Sequence, residues 1–330
     1  MHTQDILTER MKGKELETVM KGQNTESTAR KVLGKIWRDR FIYLLLLPGL
    51  AYFVIFHYGP MYGLVLAFKK YNARLGIMGS PWVGWTNFEQ IFITAQAKTA
   101  IINTLEISFS RLLFQFPVPI ILAVLIDEMG NGKWKKIYQT VYTFPHFLSW
   151  VVVGTMMVSL FSNGGAINLM LKKIGLPAIP FLGSTSFARP MLYITANWKG
   201  MGWSSIIYLA AITGIDPTMY EAAYIDGAGR WKRIWYITIP SIANTIIVML
   251  ILDLGGMMNA GFDQVYNMSN SVIKNSIDII DTYVNDITFN TAPNYGFSTA
   301  VGLFKSVINF ALLLSSNTIV KKIRGSGLFG

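Results

Sequence analysis

Six stretches, at about 41–67, 101–126, 137–161, 190–213, 241–262 and 296–320, are apolar over close to the length a helix needs to cross a bilayer core of about 30 Å. A chain carrying that pattern is expected to be an all-α integral membrane protein with six transmembrane helices. Composition agrees: 52% of the 330 residues are hydrophobic and only 14% are charged, too apolar a balance for an ordinary soluble domain. The first run begins too late and extends too far for a cleaved signal sequence, so it is expected to stay as an anchor.

The formal charge of +11 would suit a nucleic-acid binder if the cations were spread over one face. Instead they cluster at the ends of apolar runs. Nine Lys/Arg fall in residues 1–40, three in 133–136, three in 230–233 and three in 321–324, whereas the intervening connections together hold eight. Cytoplasmic segments collect Lys and Arg, so both termini and the 214–240 connection are expected inside, with lipid and not nucleic acid as the surrounding partner. The expected organisation is a cytoplasmic tail over 1–40, a six-helix unit over 41–330 with its core at about 100–320, and a cytoplasmic loop over 214–240.

Little in the chain can do bond chemistry. There is no cysteine, and the three histidines, His2, His57 and His146, lie far apart, which argues against a metal site. The nearest approach to a phosphate-cradling loop, Gly130-Asn131-Gly132-Lys133, lacks the earlier glycine and the following Ser/Thr. The chain is therefore expected to be no enzyme and to hold no cofactor of its own. Asp278 and Asp281 could share a solvated helix face or an acid site, and the solvated face is the simpler reading.

The segment 220–240, Tyr-Glu-Ala-Ala-Tyr-Ile-Asp-Gly-Ala-Gly-Arg-Trp-Lys-Arg-Ile-Trp-Tyr-Ile-Thr-Ile-Pro, is charged, aromatic and broken by glycine between two apolar runs. Asp216 is placed to cap a short helix, Pro217 suits its first turn, and Gly227 with Gly229 can end it. A second arm follows, with Trp231, Ile234 and Trp235 expected on one face and Arg230 and Arg233 on another. Glu221-Ala222-Ala223, then Gly227, Ile237 and Ile239-Pro240, resemble the EAA loop of ABC-importer permeases, with Ile239 standing where Leu is usual. The wording Glu-Ala-Ala-Tyr-Ile-Asp-Gly-Ala and Gly-Arg-Trp-Lys-Arg-Ile-Trp is similar to the carbohydrate-uptake branch and its LplB-type polysaccharide permeases. Residues 82–92 and 262–304 carry further resemblance, so it covers nearly everything after residue 40.

The resemblance implies a type I ABC-importer (MetI-like) permease fold whose cytoplasmic EAA coupling helix docks on a partner. Glu221, Ala222, Ala223, Asp226, Gly227, Arg230 and Trp231 would carry that contact. The implied partners are a second homologous permease, a dimer of ATP-binding subunits holding ATP and Mg, an extracytoplasmic solute-binding protein and an oligosaccharide. A glycerol-phosphate or peptide importer, or a self-sufficient secondary transporter, are the competing readings.

Polar residues inside apolar runs need partners or water. Arg111, Asp253 and Lys305 either lock helices together or line a polar path, and Asp253 paired with Lys305 or Lys199 is one expectation. Asn197, Trp198, Lys199 and Trp203 offer the aromatic faces, amide and cation that suit a sugar, although Trp198 and Trp203 equally suit an interfacial belt. Asn309 carries the same ambiguity. The expected substrate path is thus Asn197, Trp198, Lys199, Trp203, Asp253, Lys305 and Asn309.

Overall fold

The computed structural model describes residues 34–324 apart from 36, 131, 291 and 292, so most of the expected 1–40 tail lies outside the described residues. Every regular element among them is helical, beyond one isolated bridge between Lys69 and Trp82. Residues up to Leu64 and residues from Val65 onward form two units. In the first, α1 (Arg40–Phe53) continues through a π turn, Val54–Tyr58, into Gly59–Met61, and no residue of these elements is buried.

The second unit contains α2 (Thr86–Ile93), α3 (Ala95–Gln115), α4 (Pro117–Asp127), α5 (Lys133–Thr143), α6 (Trp150–Phe161), α7 (Ala166–Lys173) and α8 (Thr185–Thr213). It continues with α9 (Pro217–Ile225), α10 (Arg230–Arg233), α11 (Ala243–Gly255), α12 (Phe262–Met268), α13 (Ile280–Asn285) and α14 (Tyr295–Arg324). The long helix α8 packs along α4 and α5, while α11 pairs with α14.

Apolar side chains gather in three clusters. Ile91, Ala100, Met258, Tyr283, Phe297 and Val301 join α2, α3, α13 and α14. Ile107, Leu192, Val265, Ile277 and Ile279 join α3, α8 and α12. Ala123, Ile126, Tyr208, Leu209, Ile212, Ile234 and Ile242 join α4 and α8 to the segment after α10.

Four stretches, Arg40–Phe68, Ala95–Asp127, Trp150–Lys173 and Tyr295–Lys322, have the length and hydropathy to cross a bilayer. A fifth arises if Arg230–Ser241 and Ala243–Gly255, bent by 61°, act as one span. Of the six expected runs, those at 41–67, 101–126 and 296–320 coincide with single spans, the run at 241–262 counts only through the bent pair, and the run at 137–161 is displaced, so the described residues give four or five such spans where six are expected. The run at 137–161 is not one helix: α5 gives way to a 3-10 turn at Phe144–Phe147, and Leu148 and Ser149 are extended before α6. Pro145 has no N–H to continue the α ladder, and the Ser149 side chain accepts the Val152 N–H at 3.3 Å to start the new helix. The fourth run lies inside α8, whose Arg189, Asn197 and Lys199 lower its hydropathy.

Polar groups fasten the helices at one end. Arg189 on α8 donates to Glu106 at 2.6 Å, to the Asn103 side chain at 2.8 Å and to the Ser276 carbonyl at 3.0 Å. Asn103 in turn donates to the carbonyls of Asn275 and Asp278. Lys305 on α14 grips both carboxylate oxygens of Asp281 on α13, at 2.6 and 2.8 Å. The expectation that Lys305 or Lys199 pairs with Asp253 is therefore corrected, and Asp281 is held by an ion pair instead of standing on a solvated face. Asp278 is partly buried, and burial pushes its carboxyl above the usual range against the opposing hydrogen bond from Thr282 and the charge of Lys274.

Helix α8 meets the end of α5 backbone to side-chain-free backbone. A Cβ on Gly202 would overlap the Tyr142 carbonyl, whereas one on Gly200 would find its nearest neighbour, the Gln115 amide nitrogen, at 3.6 Å. Gly202→Ala should therefore cost about 1–3 kcal/mol through forced separation of the two helices, seen as a lowered melting midpoint in detergent, with Gly200→Ala as the tolerated control. Lys305→Met should cost on the order of 2 kcal/mol by stranding the Asp281 charge. Adding Asp281→Leu should recover most of that loss, and a double variant no more stable than the single one would count against the ion pair as the fastening.

Candidate functional site

Two features stand apart from the packed bundle: an elbow over 214–241 and a cavity beside α8. In the elbow, the Asp216 carboxylate accepts the Thr218 N–H at 2.9 Å, and Pro217 occupies the first turn of α9. That hydrogen bond holds the Asp216 carboxyl below its ordinary range, so it is ionised at neutral pH beside the positive end of the helix. At the other end the Gly227 N–H reaches the Tyr224 carbonyl at 3.1 Å and the Ala228 N–H reaches the Ala223 carbonyl at 2.9 Å, with Gly227 at φ +71°. This is a Schellman closure, which needs a left-handed residue where Gly227 stands.

The helix so capped is mostly outside the core. Glu221, Ala222, Asp226 and Gly227 are exposed, Ala223 is half-buried, and the apolar Tyr224 and Ile225 are 74% and 84% exposed. A hydrogen bond of 2.9 Å between the Tyr220 and Thr238 hydroxyls ties α9 to the second arm. That arm runs from α10 through a π turn at Ile234–Thr238 to Ile239–Ser241, then bends by 61° into α11. Pro240 explains the bend, because it can return no hydrogen bond to the preceding turn.

The expected grouping of Trp231, Ile234 and Trp235 on one face does not hold. Ile234 is buried with Tyr208, Leu209 and Ile212 of α8, whereas Trp231 and Trp235 are exposed, as is Arg230. The π turn that begins at Ile234 widens the helical repeat, so the three side chains do not follow a regular α face. Arg233 turns inward with its Nε buried and unpartnered among the described residues.

The cavity holds about 400 Å³ between α3, α4, α8 and α11. Its polar lining comprises Ser108, Arg111, Gln115, Ser204, Asp253 and Asn259, set among Phe116, Tyr208 and several methionines. Gln264 fixes Arg111 from behind: its side-chain oxygen accepts from the guanidinium, while its amide donates to the Leu192 carbonyl at 2.8 Å and to the Thr195 hydroxyl at 2.7 Å.

Of the seven residues expected to form a substrate path, only Asp253 lines this space. Lys199 donates to the His146 carbonyl at 2.7 Å and lies over the Trp150 ring, while Trp203 stacks on His146 at 4.5 Å. These residues seal the break between α5 and α6. Lys305 is engaged by Asp281, and the Asn309 side chain accepts the Met258 N–H at 2.9 Å. Asn197 keeps its side-chain oxygen buried and unpartnered among the described residues, and Trp198 is half-buried outside the cavity lining. Sequence reasoning missed Ser108, Gln115, Ser204, Asn259 and Gln264, whose polarity is unremarkable until distant helices bring them together.

A family described as "Binding-protein-dependent transport system inner membrane component" matches residues 115–325. Protein LplB of Bacillus subtilis (strain 168) is 44% identical over 293 residues, covering 88% of this chain and 92% of its own length. The polygalacturonan/rhamnogalacturonan transport system permease protein YteP of the same organism is 40% identical over 301 residues, covering 91% and 94%. Among solved structures, a chain of a bacterial ABC transporter involved in import of the acidic polysaccharide alginate superposes with a TM-score of 0.82 at 37% identity, covering 89% of this chain and 99% of that one. A chain of the alginate ABC transporter in complex with an alginate pentasaccharide-bound periplasmic protein gives 0.81 at 37% identity, covering 89% and 98%. With more than half its length matched and close relatives spanning nearly all of it, the chain belongs to the binding-protein-dependent transport system inner membrane components, the multi-pass permease subunits of ABC importers.

Proposed function

We propose that this chain is one of two permease subunits of an ATP-driven importer that moves an oligosaccharide or polysaccharide fragment into the cytoplasm. As a member of a transport family it is a membrane subunit and not an enzyme. The observation that carries the reading is the elbow: a short helix capped at both ends, displaying Glu221, Tyr224 and Ile225 outward, and joined by one bend to a helix that lines the cavity. In this scheme the 214–240 loop enters a cleft of an ATP-binding subunit. Glu221 meets a basic group there, the small Ala222 and Ala223 let the partner approach closely, and Asp226, Gly227, Arg230 and Trp231 complete the surface. The Lys/Arg bias supports a cytoplasmic position for this loop and both termini.

Closure of two ATPase subunits around ATP would turn the elbow. Ile234 and Ile242 share a buried apolar cluster with Tyr208 of α8, so the turn would reach the cavity wall through that packing. A solute-binding protein would deliver cargo at the opposite end, near the Arg189 and Asp278 network. A second, similar permease would cover the side where Asp253 and Asn259 are exposed, because α3, α4, α8 and α11 border the cavity on one flank alone. The saccharide reading takes its support from the relatives, one named for polygalacturonan and rhamnogalacturonan and another for alginate.

Two substitutions test the elbow. Glu221→Ala should leave the chain inserted and folded but lower substrate-driven ATP hydrolysis by about thirtyfold or more, the size expected when truncating one partner of a desolvated charge pair costs about 2 kcal/mol or more. Gly227→Val places a branched residue at φ +71°, costing about 1–2 kcal/mol and loosening the helix end. Less ATPase should then co-purify with the permease from mild detergent. Normal hydrolysis and normal co-purification in both variants would overturn the assignment.

A further inference from the structure

The cavity beside α8 contains a cation that no carboxylate among the described residues neutralises. Arg111 forms no ion pair among the described residues, and its Nε is buried without a hydrogen-bond partner. Ser108, one turn earlier on α3, also lines the cavity, with its hydroxyl buried and unpartnered among the described residues. A guanidinium in an apolar segment would ordinarily be met by a carboxylate or turned to water. Here it is instead held in place by a neutral amide, Gln264, whose own nitrogen is committed to Leu192 and Thr195. Gln264 is thus a positioning residue: it orients the guanidinium without cancelling its charge.

We propose that Arg111 is the specificity-determining residue of the cavity and that it receives a carboxylate, so that the cargo is an acidic saccharide bearing uronate groups. The proposal rests on the saccharide-import reading above and narrows it. A planar guanidinium fork matches a carboxylate in two parallel hydrogen bonds, which a neutral hydroxyl cannot reproduce. Ser108 supplies an adjacent hydroxyl for the same carboxylate or a neighbouring oxygen. Phe116 and Tyr208 offer apolar faces for sugar rings, and Asp253, which forms no ion pair among the described residues, accepts from sugar hydroxyls. The pairing of one fixed cation on α3 with an acceptor on α11 suits a ring that carries both a charge and hydroxyls.

The test uses the assembled transporter in lipid nanodiscs, with its ATPase subunits, second permease and binding protein. Oligogalacturonates of three to five sugars and their fully methyl-esterified forms are compared as stimulators of ATP hydrolysis, in wild type, Arg111→Gln and Arg111→Lys. Because the same binding protein serves every variant, the change in the acid-to-ester ratio isolates the permease. Arg111→Gln should lower that ratio about tenfold, with Arg111→Lys, which keeps the charge but loses the fork, falling between. If Arg111→Gln does not assemble, a lowered ratio in Arg111→Lys supports the proposal and an unchanged ratio overturns it. An unchanged ratio in Arg111→Gln overturns it too, as does a wild-type complex that responds only to neutral oligosaccharides, which leaves the saccharide reading standing. A wild-type complex that responds to no saccharide, acidic or neutral, removes the broader reading and the proposal with it.

Discussion

Hydrocarbon offers the backbone no hydrogen bonds, so each interruption of a membrane helix must be repaired by the protein itself. This chain interrupts its helices often, and side chains from other elements perform the repair. Lys199 supplies the His146 carbonyl where α5 stops short of α6. Asn309 takes the Met258 N–H just beyond α11. Asn103 and Arg189 meet three carbonyls in the segment 275–278, and Asn87 meets those of Ala67 and Lys69 at 2.9 and 3.1 Å. Asn168, fully buried, closes the turn between Ser162 and Ile179 in the same way. Polar side chains thus supply the hydrogen bonds that backbone groups lose where these helices are broken.

The bend after Pro240 joins the two halves of the proposed mechanism. It redirects the chain by 61° from the elbow into α11, whose Asp253 borders the cavity. Ile234, on the elbow side of the bend, shares a cluster with Tyr208, which borders the cavity from α8. Movement of the elbow therefore bears on two walls of the cavity at once, one through the covalent chain and one through packing.

The elbow was the most legible part of the sequence because its code is local. Asp216, Pro217 and Gly227 each act within a few residues of themselves, and the structure realises the cap, the first turn and the left-handed stop that those residues require. The bundle was legible as helices, but its interruptions were less so. Pro145 could have been absorbed near a helix start, and only the Ser149 cap decides that a new helix begins at Trp150. Lys199, Lys305 and Asn309 could not be placed relative to the cavity from sequence, because a polar side chain in an apolar run looks the same whether it faces a cavity or a freed backbone group. The difference lies in His146, Asp281 and Met258, from 24 to 53 residues away. Arg111 was recognised as needing a reason, but the neutrality of its support depends on Gln264, 153 residues later.

The short helix α9 is complete before anything touches it. Its first turn is closed by Asp216 and its last by Gly227 and Ala228, all from its own strand of chain. A surface segment that folds only on contact gives up conformational freedom each time it binds, and that loss weakens every encounter. A ready-made helix gives up little. In the proposed coupling role its attachment would draw on the contact energy of a few side chains without the ordering loss of a segment that folds on contact.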